Sequence, residues 1–461
     1  MSKRTPFKTM AITDPDALMY GAAPKPFTTQ SNIVIGGGEV YPELNFTLPP
    51  MNVNEETIQQ ANDIYKEMID GVLKRAAELG QQKVVVEFET VPSFTLVPKF
   101  GLETTKLLLD AEREAEEKYG IQCALRFTPN DTREMSRPPQ MRGGQYYDDM
   151  MYFFEEAAKL GPDWISIEST GGKEIDEEGL VNADIRRVIF ALGACSCTDM
   201  EFLWGKVADI CAGTKMAVGG DSSCGFANTA MVLAEKKFIP RTFAAVVRAA
   251  TVPRALVAYE MGAVAPSKDC EYVGPYIKAI TGYPIAMEGR MASGAHLSPI
   301  GNIAAANADL WSNESIQQVR LLSDMAPVVG MEQLIFDCRM LNTAAKMGQG
   351  RVMRDIMIES DAPLDVQGYI LRPEVVIELS QEILKYEDDF LRTKAAAAKA
   401  VEILQKAIED GKVQCADRDA AWLDMMEETI EEIPDDRMGF YEEMKDEFKE
   451  GEFLPAEYGL E

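Results

Sequence analysis

Three segments place a reactive or metal-binding side chain at the end of an apolar run or shortly beyond it. Glu168 ends the run in WISIESTGGKE, Cys224 follows MAVGG in MAVGGDSSCGFANTAM, and Cys270 lies in ALVAYEMGAVAPSKDC. In a parallel barrel all strand C-termini open on one face, so the three side chains can converge there. Spacing alone does not establish a metal site, because the chain has no CxxC pair and an isolated cysteine is more often inert and buried.

The chain contains a single histidine, His296. One histidine excludes HExxH zinc sites, two-His-one-carboxylate iron sites and three-His zinc sites built from one chain. Any metal would then take its ligands mainly from cysteine, aspartate and glutamate, and thiolates favour zinc or another soft ion. His296 lies in the loop SGAHLSPIGN, where it can line a pocket or orient a neighbour. A loop histidine is more often neither, and it is not predicted as a ligand.

Short apolar segments of strand type alternate with helical segments through most of the chain. The strand segments are 83–89, 121–128, 163–168, 215–220, 254–260 and 284–288. This alternation implies βαβ crossovers with parallel pairing, and runs rich in Val and Ile are typical of strands buried on both faces. The pattern predicts an α/β fold with a TIM-type (β/α)8 barrel, in which six strands are clear and the closure to eight is an inference. Neither a Rossmann GxGxxG after the first strand nor a P-loop motif is present, which disfavours nucleotide binding.

The chain divides by composition into three predicted regions. Residues 1–60 are predicted as an N-terminal extension with a hairpin in NIVIGGGEVYPELNF, and residues 61–365 as the barrel. Residues 366–461 are predicted as an acidic, helical C-terminal extension, in which FLRTKAAAAKAVEILQKAIEDG has the apolar stripe of an amphipathic helix. We expect this extension to pack on the barrel or on a neighbouring subunit; a docking surface for a partner is the less favoured alternative.

Composition limits the partners and the compartment. Hydrophobic residues make up 46% of the 461 residues, which excludes global disorder. The chain has 75 acidic and 46 basic residues, a net charge of −29, so nucleic acid and anionic lipid are not expected partners. No secretory signal or membrane-spanning run is apparent. The eight cysteines are scattered, which indicates reduced thiols and a cytoplasmic protein.

The segments ESTGGKE, GGDSSCGFANTAM, LVAYEMGAVAPSKDC, KAITGYPIAMEG and WSNES closely resemble the methanol–corrinoid methyltransferases of methanogens and acetogens. CALRFTPNDTRE and PAEYG also match, and the resemblance extends from about residue 15 to the end. It implies a TIM barrel whose zinc ligands are Glu168, Cys224 and Cys270. It also implies that the methyl group of methanol passes to cobalt(I) of a corrinoid on a partner protein, and it suggests a homodimer bearing two corrinoid subunits.

Zinc with three protein ligands keeps a fourth position open, where it can polarise the C–O bond of methanol. Two thiolates and a carboxylate lower its Lewis acidity, so an acid that protonates the leaving oxygen would help. The candidates are Glu89, Asp221 and Glu260; Glu87 faces the same way as Glu89 by strand alternation. A buried carboxyl near others has a raised pKa, which suits a donor, but a structural role is equally compatible with each. Asn228 is expected to cap the following helix rather than to bond a thiolate.

Two alternatives remain open from the sequence. A related zinc-thiolate methyltransferase could use another small methyl donor, such as a methoxylated aromatic compound or a methylamine. A non-catalytic barrel that only binds a corrinoid protein belongs to a different class, but such a scaffold needs no three-ligand site. The chain itself lacks a DxHxxG corrinoid-binding signature, so the corrinoid is expected on the partner.

Overall fold

Strands alternate with helices along the chain, as the sequence pattern predicts. The computed structural model describes residues 4–221, 224–268, 272–316 and 321–461. The strands of this part of the chain are β1 (Ala22–Thr28), β2 (Val34–Gly37), β3 (Tyr41–Thr47), β4 (Lys83–Glu89), β5 (Gln122–Thr128), β6 (Trp164–Ile167), β7 (Ala217–Asp221), β8 (Ala286–Glu288) and β9 (Leu310–Ile316).

The helices surround the strands, and those at the surface, such as α1, bury one apolar face. In α1, buried residues recur at helical spacing, as at Ala61, Tyr65, Met68, Ile69 and Val72. The helices are α1 (Ile58–Glu78), α2 (Pro92–Leu96), α3 (Pro98–Tyr119), α4 (Gln145–Leu160), α5 (Lys173–Asn182), α6 (Ile185–Ile189), α7 (Cys197–Cys211), α8 (Thr229–Glu235), α9 (Arg241–Glu260), α10 (Gly274–Thr281), α11 (Arg290–Ala295), α12 (Gly301–Ala305), α13 (Ala326–Lys346), α14 (Gly350–Asp361), α15 (Val366–Tyr369), α16 (Pro373–Ile383), α17 (Asp389–Glu409), α18 (Asp417–Glu432) and α19 (Arg437–Met444).

The parallel sheet curls into a TIM-type barrel, which confirms the predicted fold class. Over the described residues its strand order is β7-β6-β5-β4-β3-β9-β8, and all neighbours pair in parallel. Beside the edge strand β7, the backbone N–H groups of Val264 and Ala265 donate to the Val218 carbonyl at 2.9 and 3.1 Å. The segment around Ala265 therefore occupies the barrel position that follows β7.

The first barrel strand lies inside the segment predicted as an N-terminal extension. The two halves of NIVIGGGEVYPELNF do not pair with each other: β2 pairs with β1, whereas β3 pairs with β4 and β9. Gly36 and Gly38 between them have φ values of 79° and 115°, so the chain turns out of the hairpin and into the barrel there. The predicted hairpin between the two halves of this segment is therefore wrong, because the hairpin is formed by β1 and β2. The barrel begins with β3, before residue 61.

The segment 254–260, predicted as a strand, is the last part of helix α9. Every residue of α9 from Thr242 to Glu260 is buried, so this helix has no polar face that would give its sequence a helical period. A different strand, β9, is missed by the sequence pattern. Its sequence LWSNESI is polar because alternate side chains, such as Ser312 and Glu314, face a polar barrel interior.

One continuous helical segment, Ile185–Cys211, comprises α6, a π-helical stretch (Phe190–Ser196) and α7. Among the described residues it is the helix long and apolar enough to cross a membrane, by length and composition. Within the fold, 83% of its apolar window is buried, which is typical of a core helix. α17 of the C-terminal region packs against α9. The proposed boundary at residue 366 stays a prediction.

An apolar plug closes the N-terminal end of the barrel interior. Ile33 and Ile35 from the hairpin pack with Val85, Ala124 and other inward-facing residues at the strand starts. Above this layer the interior is charged: Arg126 Nε lies 2.7 Å from Glu43 Oε1, and both side chains are fully buried. Burial raises the pKa of Glu43 to about 7 although Arg126 opposes the shift. The charged layer therefore depends on this internal ion pair.

We predict that Arg126→Met destabilises the protein by about 3–5 kcal/mol, because it leaves a buried carboxylate without its partner. Urea unfolding followed by circular dichroism measures the effect. The matched control is Lys66→Met, which removes a partly exposed i,i+4 pair with Asp70 worth about 0.3–0.5 kcal/mol. An equal loss of unfolding free energy in the two variants would show that the internal ion pair contributes no more than a surface pair.

Candidate active site

Glu168 follows β6 directly and lies at the C-terminal mouth of the barrel, as predicted. Its backbone bridges to Asn130, which follows β5. Its carboxylate makes no hydrogen bond or ion pair with any residue that the structure describes. Burial raises the pKa of Glu168, and Lys268 opposes that rise. Because no described residue occupies its oxygen atoms, the Glu168 carboxylate is available as a metal ligand.

The loop that carries Glu168 is held by two neighbouring carboxylates. The Ser169 N–H donates to Asp221 Oδ1 and the Thr170 N–H donates to Asp131 Oδ2, both at 3.0 Å. A Cβ atom on Gly171 would lie 2.3 Å from the Asp199 side chain, so a glycine is required there. The orientation of Glu168 is thus fixed by its neighbours along the chain.

Asp221, predicted as a catalytic candidate, is buried in an ion pair with Arg254. Arg254 Nη1 lies 2.6 Å from Asp221 Oδ2, and Nη2 donates to Ser169 Oγ. The guanidinium also lies 4.1 Å from the ring centroid of Phe226. Arg254 therefore connects the loop after β6, which holds Glu168, to the segment after β7, which holds Cys224.

Cys224 begins a π-helical turn, Cys224–Asn228, that leads into α8, and its thiol is partly buried. Burial opposes protonation of Lys173, but the nearby charges of Glu134, Glu168 and Cys224 raise its pKa. Glu168 and Cys224 therefore both lie within electrostatic reach of the Lys173 ammonium group, and their role as ligands stays a prediction. Asn228 makes no capping hydrogen bond, so its predicted capping role is wrong.

Cys270 lies outside the described residues. On either side of this gap the chain contacts carboxylates of the mouth: Lys268 pairs with Glu89, and the Tyr272 hydroxyl donates to Glu288.

Glu89 and Glu87 both face the barrel interior, as strand alternation predicts. Asn45 Nδ2 donates to Glu89 Oε2 at 2.5 Å, and Lys268 donates to the other oxygen. Burial works against ionisation of Glu89, but Lys268 outweighs it, so the pKa of Glu89 is lowered. Glu87 accepts from Thr128 Oγ1 at 2.8 Å, and burial raises its pKa. Glu89 is thus a held carboxylate at the mouth.

Glu260, the third catalytic candidate, is not brought to the barrel mouth. It ends α9 in an ion-pair network with Arg4 and Arg392, the latter at 3.0 Å. The prediction assumed a strand end at this position, and the helix places the carboxylate outside the barrel interior instead.

Sequence reasoning missed a group of side chains at the ends of β8 and β9, which we call the mouth triad: Glu288, His296 and Glu314. His296 Nδ1 lies 3.0 Å from Glu288 Oε2, and Nε2 lies 3.9 Å from Glu314 Oε2. One ligand atom from each residue lies within 4.8 Å of the others, so the triad could also hold a metal ion. The polar residues of WSNES, which include Glu314, were the sequence signal that could have indicated this group.

The barrel and its mouth of carboxylates and a thiol define an α/β-barrel enzyme. A family model described as "Methanol-cobalamin methyltransferase B subunit" matches residues 4–459, and the chain belongs to this family. The methanol–corrinoid protein co-methyltransferase of Methanosarcina barkeri (strain Fusaro / DSM 804) is 32% identical over 461 residues, which cover 98% of this chain and 99% of the relative.

A solved structure gives the same result. The chain is similar to one in the crystal structure of the methanol:cobalamin methyltransferase complex MtaBC from Methanosarcina barkeri, with a TM-score of 0.93 and 32% identity. The similarity covers 99% of this chain and 100% of that one. These findings confirm the predicted family, enzyme class and fold.

We predict that Glu260→Gln lowers the free energy of unfolding by about 1.5–3 kcal/mol, the range for hydrogen bonds to charged groups, without changing turnover of the folded enzyme. Chemical denaturation measures the free energy of unfolding, and the steady-state rate measures turnover. The control is Glu201→Gln, because Glu201 is an exposed partner of the same Arg4 and should matter little. Loss of turnover at unchanged stability would restore Glu260 to the active site.

Proposed function

We propose that this protein transfers the methyl group of methanol to cobalt(I) of a corrinoid on a partner protein, with zinc held by Glu168, Cys224 and Cys270. The observation that carries the proposal is the partly buried Glu168 carboxylate, which has no hydrogen-bonding partner in the described chain and, like Cys224, acts electrostatically on Lys173. Family membership and the relative named as a methanol–corrinoid protein co-methyltransferase support the substrate.

The donor set fits zinc. Thiolate and carboxylate ligands are those zinc takes, and three protein ligands leave one position for substrate. Bound there, zinc would act as a Lewis acid towards the methanol oxygen. The chain's own residues hold the ligands in place: Asp221 and Asp131 bind the backbone beside Glu168, and Arg254 couples that loop to the Cys224 segment.

We place the corrinoid protein over the barrel mouth. The complex in which the similar chain was solved supports such a partner. Leu297, in the loop after β8, and Leu321 and Leu322, in the loop after β9, are exposed large apolar side chains near that face. Clusters of this kind mark protein interaction sites more often than isolated surface residues do.

We further propose a homodimer that works in the cytoplasm. Exposed apolar side chains follow the outer faces of α13 and α14, at Phe336, Met340, Val352 and Ile356. A second copy of the chain would cover this stripe. The cysteines in the described residues are free thiols, which supports a reducing compartment.

Zinc content and activity should be lost together in the ligand variants. We expect about one zinc per wild-type chain, as for a single catalytic site, and methylation of cobalt(I) cobalamin by methanol. Cys224→Ala, Cys270→Ala and Glu168→Gln should lose both, measured by elemental analysis and by the cobalamin absorbance. The control Cys415→Ala changes a partly buried thiol outside the barrel mouth and should keep both. Wild-type protein without zinc, or ligand variants that keep metal and activity, would favour a scaffold instead.

Two surface variants separate the proposed interfaces. Leu322→Asp should weaken binding of the corrinoid protein at least about tenfold, which corresponds to about 1.4 kcal/mol, and leave the homodimer intact. Ile356→Asp should dissociate the homodimer and leave the affinity for the corrinoid protein unchanged. Calorimetric titration measures the affinity for the corrinoid protein, and light scattering measures the oligomeric state. Each variant is the control for the other. If Leu322→Asp binds the corrinoid protein normally, the docking face lies elsewhere.

A further inference from the structure

The proposed methyl transfer needs a proton that the proposed metal ligands do not supply. The C–O bond breaks with its electron pair on oxygen, and the electron pair of cobalt(I) forms the new Co–C bond, so cobalt becomes formally cobalt(III). Hydroxide is a poor leaving group, so one proton must reach the oxygen for it to leave as water. The balanced reaction therefore consumes one proton per methyl group, and a general acid at the mouth would supply it.

The three carboxylates first considered for this role are poorly suited to it. Glu89 is held as a carboxylate by Lys268 and Asn45, and its lowered pKa leaves it without a proton near neutral pH. Asp221 accepts from Arg254 and from the Ser169 N–H. Glu260 lies in an ion-pair network away from the mouth.

The mouth triad places His296 between two carboxylates, and a water molecule in the 3.9 Å gap between His296 Nε2 and Glu314 Oε2 would complete a proton relay. Glu288 is fully buried and holds His296 at 3.0 Å, while the Tyr272 hydroxyl donates to the same Glu288 oxygen. His296 and Glu314 keep 22% and 32% of their side-chain surfaces exposed, so they reach both solvent and the barrel interior. Glu288 ends β8, and Glu314 lies two residues before the end of the adjacent strand β9, at the face where Glu168 lies.

We propose that Glu314 is the general acid that protonates the leaving oxygen of methanol, and that His296, positioned by Glu288, returns a proton to it from solvent. This inference rests on the proposed function. It assigns a catalytic role to the acid of β9 and a positioning and relay role to the chain's single histidine. It also gives the triad a use that requires no second metal ion.

The charges around Glu314 favour a carboxyl that holds a proton near neutral pH. Burial and the carboxylates of Glu89 and Glu288 raise its pKa to about 7, against Lys268 and His296. The hydrogen bond to Glu288 raises the pKa of His296. A general acid must be protonated to act, so turnover should fall as the pH rises through about 7.

The test compares turnover with methanol, its pH profile and zinc content in Glu314→Gln, Glu314→Asp and His296→Gln. Glu314→Gln should lose about 10²–10⁴-fold in kcat, the contribution of a general acid, and keep its zinc. Glu314→Asp should recover part of the rate. His296→Gln should shift the alkaline limb to higher pH, because a protonated His296 lowers the pKa of Glu314.

The matched control is Glu112→Gln. Glu112 is also a buried carboxyl whose pKa is raised, to about 8, but it lies beside Cys123 at the start of β5. This variant should keep the wild-type pH profile.

Three outcomes would overturn the proposal. Glu314→Gln could retain the wild-type rate and pH profile, or Glu112→Gln could lose as much activity as Glu314→Gln. Loss of zinc from the triad variants, but not from Cys224→Ala, would make the triad the metal site. Because wild-type zinc and turnover are measured in the same series, a failure of the proposed function itself is recognised separately: it removes both from the wild-type protein.

Discussion

Carboxylates inside the barrel each need a positive partner, a metal ion or a proton, and this requirement arranges the mouth. An uncompensated buried charge costs several kcal/mol, so the fold supplies cations from within the chain. Glu43, Glu89 and Asp221 each pair with an arginine or a lysine. Glu168 has no such pairing among the described residues, and Glu314 faces a histidine at 3.9 Å. Glu168 and Glu314 are therefore the carboxylates to which we assign a metal ion and a proton.

Hydrogen bonds and ion pairs also connect the C-terminal tail to the loops of the mouth. Glu457, in PAEYG, accepts from the Met141 N–H at 2.7 Å, and Arg133 donates to the Met141 carbonyl at 2.9 Å. Arg133 pairs with Asp131, whose carboxylate accepts from the Thr170 N–H beside Glu168. A chain of contacts thus runs from the last residues to a proposed metal ligand, so the tail contributes directly to the order of the site.

The sequence predicts the elements whose patterns follow ordinary burial and misses those that the polar barrel interior disguises. Strands such as β4 and β5 are predicted correctly because they are mainly apolar. In contrast, β3 and β9 present Glu43 or Glu314 inward, so β3 is predicted as part of a hairpin and β9 is missed. The last part of helix α9, residues 254–260, is predicted as a strand because the helix is buried all round. Glu168 and Cys224 are predicted as ligands from their positions at or shortly beyond a strand end, but the pairing of His296 with Glu288 depends on a loop whose path no local pattern specifies.

Lys268 explains why the two sides of the mouth act as one site. The proposed metal ligands follow β6, β7 and the next barrel position, and the mouth triad follows β8 and β9. The ammonium of Lys268 opposes the rise in pKa of both Glu168 and Glu314 while it pairs with Glu89. A single cation thus acts on four carboxylates, since Lys268 also opposes the rise in pKa that burial causes in Glu87. Its charge keeps Glu89 ionised but only partly opposes the rise in the pKa of Glu314, which is why we assign the proton for the leaving oxygen to Glu314.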